Sequence, residues 1–199
     1  VSGAQAQKPV DFESSIQIRN LSPNDGGIAI SFFSIDGTMV GEATDTIAGN
    51  TSKTYYQSTM PVVSGFNGSV VVASNVPTAG ISNLVGLASN RSRISYGGFS
   101  AFNAGSEKVY LPLLMKRNYS YDTFFYVQNL GNANADVTIT YSDGETAQLN
   151  GIRPGAAKAV YQDTENHPTE VFSAILTADQ PVAVTVAQNG NTLSVYNGF

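Results

Sequence analysis

The 199-residue chain has no cysteine, no tryptophan, one histidine and only 13% charged residues. Each scarcity closes off some chemistry. Without cysteine there are no disulfides, no thiolate metal sites and no thiol nucleophile. With His167 as the sole histidine, a histidine metal cluster or a Ser-His-Asp triad would have to converge on one residue. Its setting, Glu165-Asn-His-Pro, reads as a solvated polar turn between strands. A net charge of −5 with no basic stripe argues against a nucleic-acid partner. No apolar run approaches the roughly 18 residues of a membrane span. No charged start followed by an apolar stretch opens the chain, so any signal peptide is expected to have been removed or never to have been there, and the expected extracellular or cell-surface location takes the first of these. Charged residues usually make up about a quarter of a soluble domain. Here Ser, Thr, Asn and Gly take their place, as in secreted or assembled β proteins.

What the chain does have is repetition. Asn20-Leu21 recurs as Asn129-Leu130, and Asp36-Gly37 as Asp143-Gly144. Ile47, Lys53, Tyr56-Gln57 and Thr59 recur as Ile152, Lys158, Tyr161-Gln162 and Thr164, and Pro77 answers to Pro181. Tyr96-x-Gly-Phe99 returns as Tyr196-x-Gly-Phe199. The spacing shrinks from 109 residues (Asn20 to Asn129) to 100 (Phe99 to Phe199). A common order with a drifting offset marks a duplicated domain whose insertions and deletions collect in loops.

Apolar residues alternate with period two almost throughout. Ile16/Ile18, Ile28/Ile30/Phe32, Val137/Ile139/Tyr141 and Val182/Val184/Val186 would each line the inner face of a sheet. Strands are predicted at 15–19, 28–33, 38–42, 52–56, 69–73, 84–88 and 93–96, and again at 124–129, 137–141, 146–149, 156–161, 172–177, 182–187 and 193–196. Asp36-Gly37 and Asp143-Gly144 are hairpin turns, and no window predicts a helix. The expected fold is all-β: two tandem immunoglobulin-like antiparallel β-sandwich domains, without the Cys-Trp-Cys pattern of true immunoglobulins. The expected divisions are an extended N-terminal arm at 1–13, a first sandwich at 14–99, a linker at 100–108 and a second sandwich at 109–199. The apolar run 109–115 would open the second sandwich, with Pro112 at an edge or bulge. The first copy has no counterpart to it. The recurring Tyr-x-Gly-Phe would close each sandwich with its phenylalanine plugging one end.

In the arm, Ala4, Ala6, Val10 and Phe12 share a parity. Such a segment can add a strand to the edge of a neighbour's sheet; the alternative is an ordinary first strand or a frayed terminus. The acidic turns at 24–27 and 143–145 lack the ligand spacing of a Ca²⁺ loop, and the carboxylates sit in turns, so no catalytic residue, metal site or cofactor is predicted. Five Asn-x-Ser/Thr tripeptides occur, as chance would produce in such a composition; Asn67 and Asn90, in predicted loops, are the best glycosylation acceptors among them. Tyr55, Tyr56 and Tyr161 fall at corresponding places and could stack on sugars, although strand tyrosines more often edge a core.

Taken together, Val109-Tyr-Leu-Pro-Leu-Leu-Met-Lys, Phe125-Tyr-Val-Gln-Asn-Leu-Gly, Val137-Thr-Ile-Thr-Tyr, Asp179-Gln-Pro-Val and Tyr196-Asn-Gly-Phe resemble a tandem β-sandwich repeat of secreted and cell-surface proteins from filamentous, often thermophilic, bacteria. The resemblance covers the second copy and, more loosely, residues 14–99. It implies an extracellular, non-enzymatic surface module. Two copies behind a short arm suggest a polymerising unit, so the expectation is a homopolymer joined head to tail: a filament, pilus-like fibre or surface layer. The alternatives are an adhesin or carbohydrate-binding module with a surface polysaccharide as partner, and a virion coat protein of two fused sandwiches.

Overall fold

A computed structural model of the chain describes residues 8–199. Among these, fourteen strands and a single 3-10 turn, Gln57–Thr59, account for the regular structure, and every strand pairing is antiparallel. The first half runs β1 (Asp11–Asn20), β2 (Gly26–Ser34), β3 (Met39–Ile47), β4 (Ser52–Tyr56), β5 (Gly68–Ser74), β6 (Thr78–Leu87) and β7 (Arg93–Ser100). The second runs β8 (Ser106–Met115), β9 (Asp122–Asn129), β10 (Ala135–Tyr141), β11 (Thr146–Ile152), β12 (Ala157–Tyr161), β13 (Val171–Asn189) and β14 (Leu193–Asn197). Residues 101–105 join the halves. Among the described residues no helix is long and apolar enough to cross a membrane.

In the first unit, sheet β4-β1-β6-β7 faces sheet β3-β2-β5. Ile18 and Tyr55 from one meet Ile28, Ile30, Phe32 and Ile47 from the other, as period-two alternation requires. In the second unit the long strand β13 belongs to both layers. Up to Ala178 it pairs with β10 and β8; from Val182 on it pairs with β9 and β14, with Ser106 at the start of β8 also opposite Val182. Two strands were expected here, at 172–177 and 182–187. The chain instead runs on through Pro181, which sits at the register break where its missing N–H costs no ladder bond. Pro112 similarly marks a bulge, with Leu111 opposite Ala174 and Leu114 opposite Phe172.

The duplicated residues do the same work twice. Asn20 and Asn129 are both fully buried. The Asn20 amide donates to Asn24 O and Ile47 O, and that of Asn129 to Ala133 O and Ile152 O. Each side-chain oxygen accepts the N–H two residues on, from Ser22 or Gly131. Thr59 and Thr164 each donate to the carbonyl three residues back. Gly37 and Gly144 turn their hairpins at φ 85° and 97°.

The closing motif behaves differently from the expectation. Val85 pairs with Tyr96, while its counterpart Asn189 pairs with Leu193. The two Tyr-x-Gly-Phe copies are therefore three residues out of register, and Phe99 occupies the place of Tyr196. Phe199 plugs nothing: it is 72% exposed and pairs its main chain with Tyr110 of β8. The arm boundary also moves. Asp11–Glu13 extend β1 along Leu87–Val85, and Val10 N–H donates to Leu87 O, because β6 is longer than its apolar pattern indicated.

Candidate assembly surfaces

Superposing the registers makes β1 to β4 the counterparts of β9 to β12, β5 and β6 the counterparts of the two parts of β13, and β7 that of β14. Among the described residues, nothing in the first unit corresponds to β8. Beside β13, β8 lays Val109, Leu111 and Leu114 into the core. Beside β5, no strand pairs among the described residues, and β5 ends its sheet. The consequence is measurable at equivalent inward positions: Leu176 is 0% exposed, and Val72 is 37% exposed. Asn75 N–H bonds to Gly27 O, so the ladder to β2 runs through Ser69, Val71 and Ala73. Val70, Val72 and Ser74 direct their N–H and C=O groups outward.

The second unit covers one end of that edge. Gln128 Nε2 lies 3.5 Å from Val70 O and 3.1 Å from Gly155 O; Ser69 Oγ donates to Gly155 O, and Tyr126 OH to Asn67 Oδ1 at 2.8 Å. Further along the same sheet face, a Cβ on Gly97 of β7 would fall 2.5 Å from Val195 of β14, and Asn197 Nδ2 donates to Ser100 O. Ala183 and Ala187 point away from their own core and are nonetheless buried. The outer face of β12-β9-β13-β14 thus closes part of the first unit's open side, leaving residues 71–74 of the β5 edge clear.

A second unpartnered surface lies on the opposite sheet of unit two. Phe199 pairs with Tyr110 and Tyr110 with Ile175, so the three side chains form one cross-strand row, with Val171 further along the same face. All four are exposed. An apolar row on one sheet face is a surface on which another molecule can pack.

The residues singled out from sequence distribute as follows. Ala4 and Ala6 lie outside the described residues. Lys8 Nζ is paired with Asp122 Oδ2 at 2.5 Å, Pro9 O accepts from Asn189, and Phe12 packs on Phe124 with ring centroids 5.4 Å apart. Val10 is exposed. Tyr55 is a core residue, so it presents no ring face; Tyr56 and Tyr161 are exposed, in separate units. Asn67 accepts from Tyr126 in the contact between units. Asn90 sits in an exposed turn, its Oδ1 accepting from the N–H and Oγ of Ser92.

His167 corrects the expectation of a solvated turn. Its side chain is buried, Nδ1 lies 2.8 Å from Asp143 Oδ2, and the ring stacks on Phe172 at 3.9 Å and meets Tyr141 edge-on. The loop folds back so that the imidazole covers one end of the core. The same burial pushes the Tyr141 hydroxyl up to about 12. No group of three His, Cys, Asp or Glu side chains gathers to hold a metal among the described residues.

Asp45 is the best-partnered carboxylate. It accepts from Lys53 Nζ (2.8 Å), Thr46 N–H (2.7 Å) and Tyr55 OH (2.9 Å), and Lys53 above all holds it below the ordinary value. A carboxylate whose folded pKa is depressed stabilises fully above the unfolded value, about 3.9, and loses that contribution as pH falls through the folded one. Thermal midpoints followed by circular dichroism should therefore fall as pH drops below about 4. Asp45→Asn should melt lower at neutral pH and show a shallower acid slope. An unchanged slope would show that Asp45 is not a source of it.

No protein-family model matches the chain, and no curated protein does. Among solved structures it is similar to Thermotoga maritima 1070, at 20% identity and a TM-score of 0.40, over 49% of this chain and 96% of that one. It is also similar to the Anabaena sensory rhodopsin transducer, at 20% identity and a TM-score of 0.31, over 42% of this chain and 97% of that one. The major pilin T-13 of Streptococcus pyogenes aligns at 12% identity and a TM-score of 0.23, over 99% of this chain and 93% of the pilin. With these TM-scores below 0.5, the functional reading rests on the geometry of this chain alone.

Proposed function

We propose that the chain is a structural subunit of an extracellular filament, pilus-like fibre or surface layer, built from two tandem immunoglobulin-like sandwiches and joined head to tail. The observation that supports it is the strand position beside β5: its counterpart in unit two is filled by β8, and Val72 is exposed where Leu176 is sealed. An unpaired edge is a template for another chain's strand. The apolar row Phe199-Tyr110-Ile175 is a different surface on the other unit. Contacts between two unlike surfaces of identical copies propagate and do not close. The donor in this reading is the segment 1–7 of a neighbouring copy, whose Ala4 and Ala6 alternate as an added strand requires.

Two variants test this. Deleting residues 1–7 spares Lys8, Val10 and Phe12, which contact the folded units, and should leave a folded monomer that does not polymerise. Val72→Pro removes an N–H that faces away from β2, so the sheet should survive while strand addition is blocked. Negative-stain electron microscopy reads both. Filaments from either variant would refute strand addition at β5, and a full-length chain that stays monomeric at high concentration would refute the polymer itself.

A further inference from the structure

The segment between β8 and β9 ends in a tight turn. Asn118 and Tyr121 exchange both main-chain hydrogen bonds, at 3.1 and 2.8 Å. The two residues between them, Tyr119 and Ser120, hold φ at 47° and 67°, and Arg117 just before them holds 54°. Two successive positive φ values make a type I′ turn, a conformation that ordinarily selects Asn-Gly. A tyrosine there is strained, and its side chain recovers nothing by packing, because Tyr119 is 88% exposed. Strain held without a packing return is characteristic of a contact site.

Beside the turn lies an open cleft of about 350 Å³. Tyr119 and Tyr121 supply its aromatic surface, and Asn118, Gln188, Thr192 and Ser194 its polar groups. Tyr121 is held in place: its hydroxyl lies 3.0 Å from Thr192 Oγ1, and its ring lies so close over Gly190 that no side chain would fit there. No charged residue lines the cleft, and the adjacent Asp122 is paired with Lys8.

This set of groups selects a ligand class. An anion would call for lysine or arginine, and a purely apolar ligand would offer nothing to the cleft's amides and hydroxyls, of which Gln188 and Thr192 are each held by one bond, to Leu113 O and to the Tyr121 hydroxyl. A neutral sugar offers what the cleft can use: a C–H face to lie on a tyrosine ring, and hydroxyls that both donate to and accept from amides and alcohols. We propose that this cleft binds a neutral polysaccharide, with Tyr119 as the stacking platform. The volume, at the low end of the roughly 300–1,000 Å³ of ligand clefts, suits one or two residues of a sugar chain. The site is separate from Tyr55, Tyr56 and Tyr161, and it stands whether or not the protein polymerises.

Affinity electrophoresis of the full chain decides the matter, using gels that contain an α-glucan, a β-glucan, a mannan or soluble chitin, with polygalacturonate as the anionic comparison. At least one neutral polymer should retard the protein, and polygalacturonate should not. Tyr119→Gly relieves the positive φ while removing the ring. It should weaken binding at least tenfold with a melting temperature equal to or above that of the parent. Thr192→Val should weaken binding several-fold, and Tyr161→Ala should leave it unchanged. The proposal is overturned if none of the neutral polymers retards the chain, if only the anionic polymer does, or if Tyr119→Gly binds as the parent does. A Tyr119→Gly variant that loses binding and melting temperature together would assign the residue to the fold instead.

Discussion

Replacing Asn129 by alanine is expected to destabilise the protein by about 3–5 kcal/mol, more than any surface change. The side chain is fully buried and satisfies three main-chain groups: Ala133 O at 2.7 Å, Ile152 O at 2.8 Å and Gly131 N–H at 2.7 Å. Truncation leaves all three without that partner, at about 1–3 kcal/mol for each group that water cannot reach, and adds a small cavity. Asn129→Asp is the sharper test. It keeps an acceptor for Gly131 but turns a buried charge toward two carbonyls, so its carboxyl should be raised above the ordinary value. A group with a raised folded pKa regains stability as pH falls, so this variant should be relatively more stable in acid, opposite to the parent. Urea unfolding at two pH values measures both effects. A loss under about 1 kcal/mol for Asn129→Ala would mean the loop rehydrates and the asparagine is not its anchor. Asn20→Ala should repeat the result in unit one, since its amide makes the same three bonds.

Separating the two units should have the largest effect of all. Residues 104–199 are expected to fold alone with a cooperative melt, and residues 8–101 are not. Among the described residues the core of unit two gathers eighteen buried apolar side chains, and that of unit one gathers six. Counted as large apolar side chains, alanine set aside, sixteen are buried in unit two and seven in unit one; at about 1.5–3 kcal/mol each, that difference of nine represents roughly 14–27 kcal/mol of gross burial. Units of similar length carry similar chain entropy, and the net stability of a domain is only about 5–15 kcal/mol, so a deficit of that size decides the outcome. In the intact chain part of it is offset by the second unit, whose sheet face covers the β5 and β7 side through Gln128, Val195 and Asn197. Differential scanning calorimetry of the two fragments tests this. A sharp transition from residues 8–101 alone would show that unit one needs no partner. If that fragment gained a transition on mixing with residues 104–199, the contact between units would be shown to act as part of its core.

The weak folding expected of unit one and the proposal that the chain is a subunit rest on one feature. Among the described residues no strand pairs with the outer edge of β5; a neighbouring sheet face covers residues 67–70 of that edge, and residues 71–74 are left over. An edge open for only a few residues accepts a short strand. That is consistent with a donor as small as Ala4 and Ala6, and with a head-to-tail contact that adds to an existing interface.

Much of the architecture was legible in the residues. Period-two alternation placed Ile28, Ile30 and Phe32 on one face and Val182, Val184 and Val186 on another, and burial in a sheet follows from that parity. Asp-Gly marked both hairpins because glycine alone takes their positive φ without strain. The duplication also revealed the missing opening strand, since 19 residues separate Val109 from Asn129 and only nine separate Val10 from Asn20. The site was less legible. Arg117-Asn-Tyr-Ser-Tyr-Asp reads as ordinary turn chemistry, and nothing in it states that Tyr119 is held in a left-handed conformation beside Thr192, 73 residues on.

By itself, then, the sequence determined what depends on neighbours in the chain: strand parity, turn positions, the two copies and the strand that only one of them carries. The tertiary structure decided what depends on residues far apart. It buried His167 against Asp143, set the two Tyr-x-Gly-Phe copies three residues out of register, and drew residues 11–13 into β1. It also laid one unit's sheet face over the other's open edge. Local periodicity reports which side of a strand is apolar. Only long-range pairing and packing set which edge is filled, by what, and which edge stays open to another molecule.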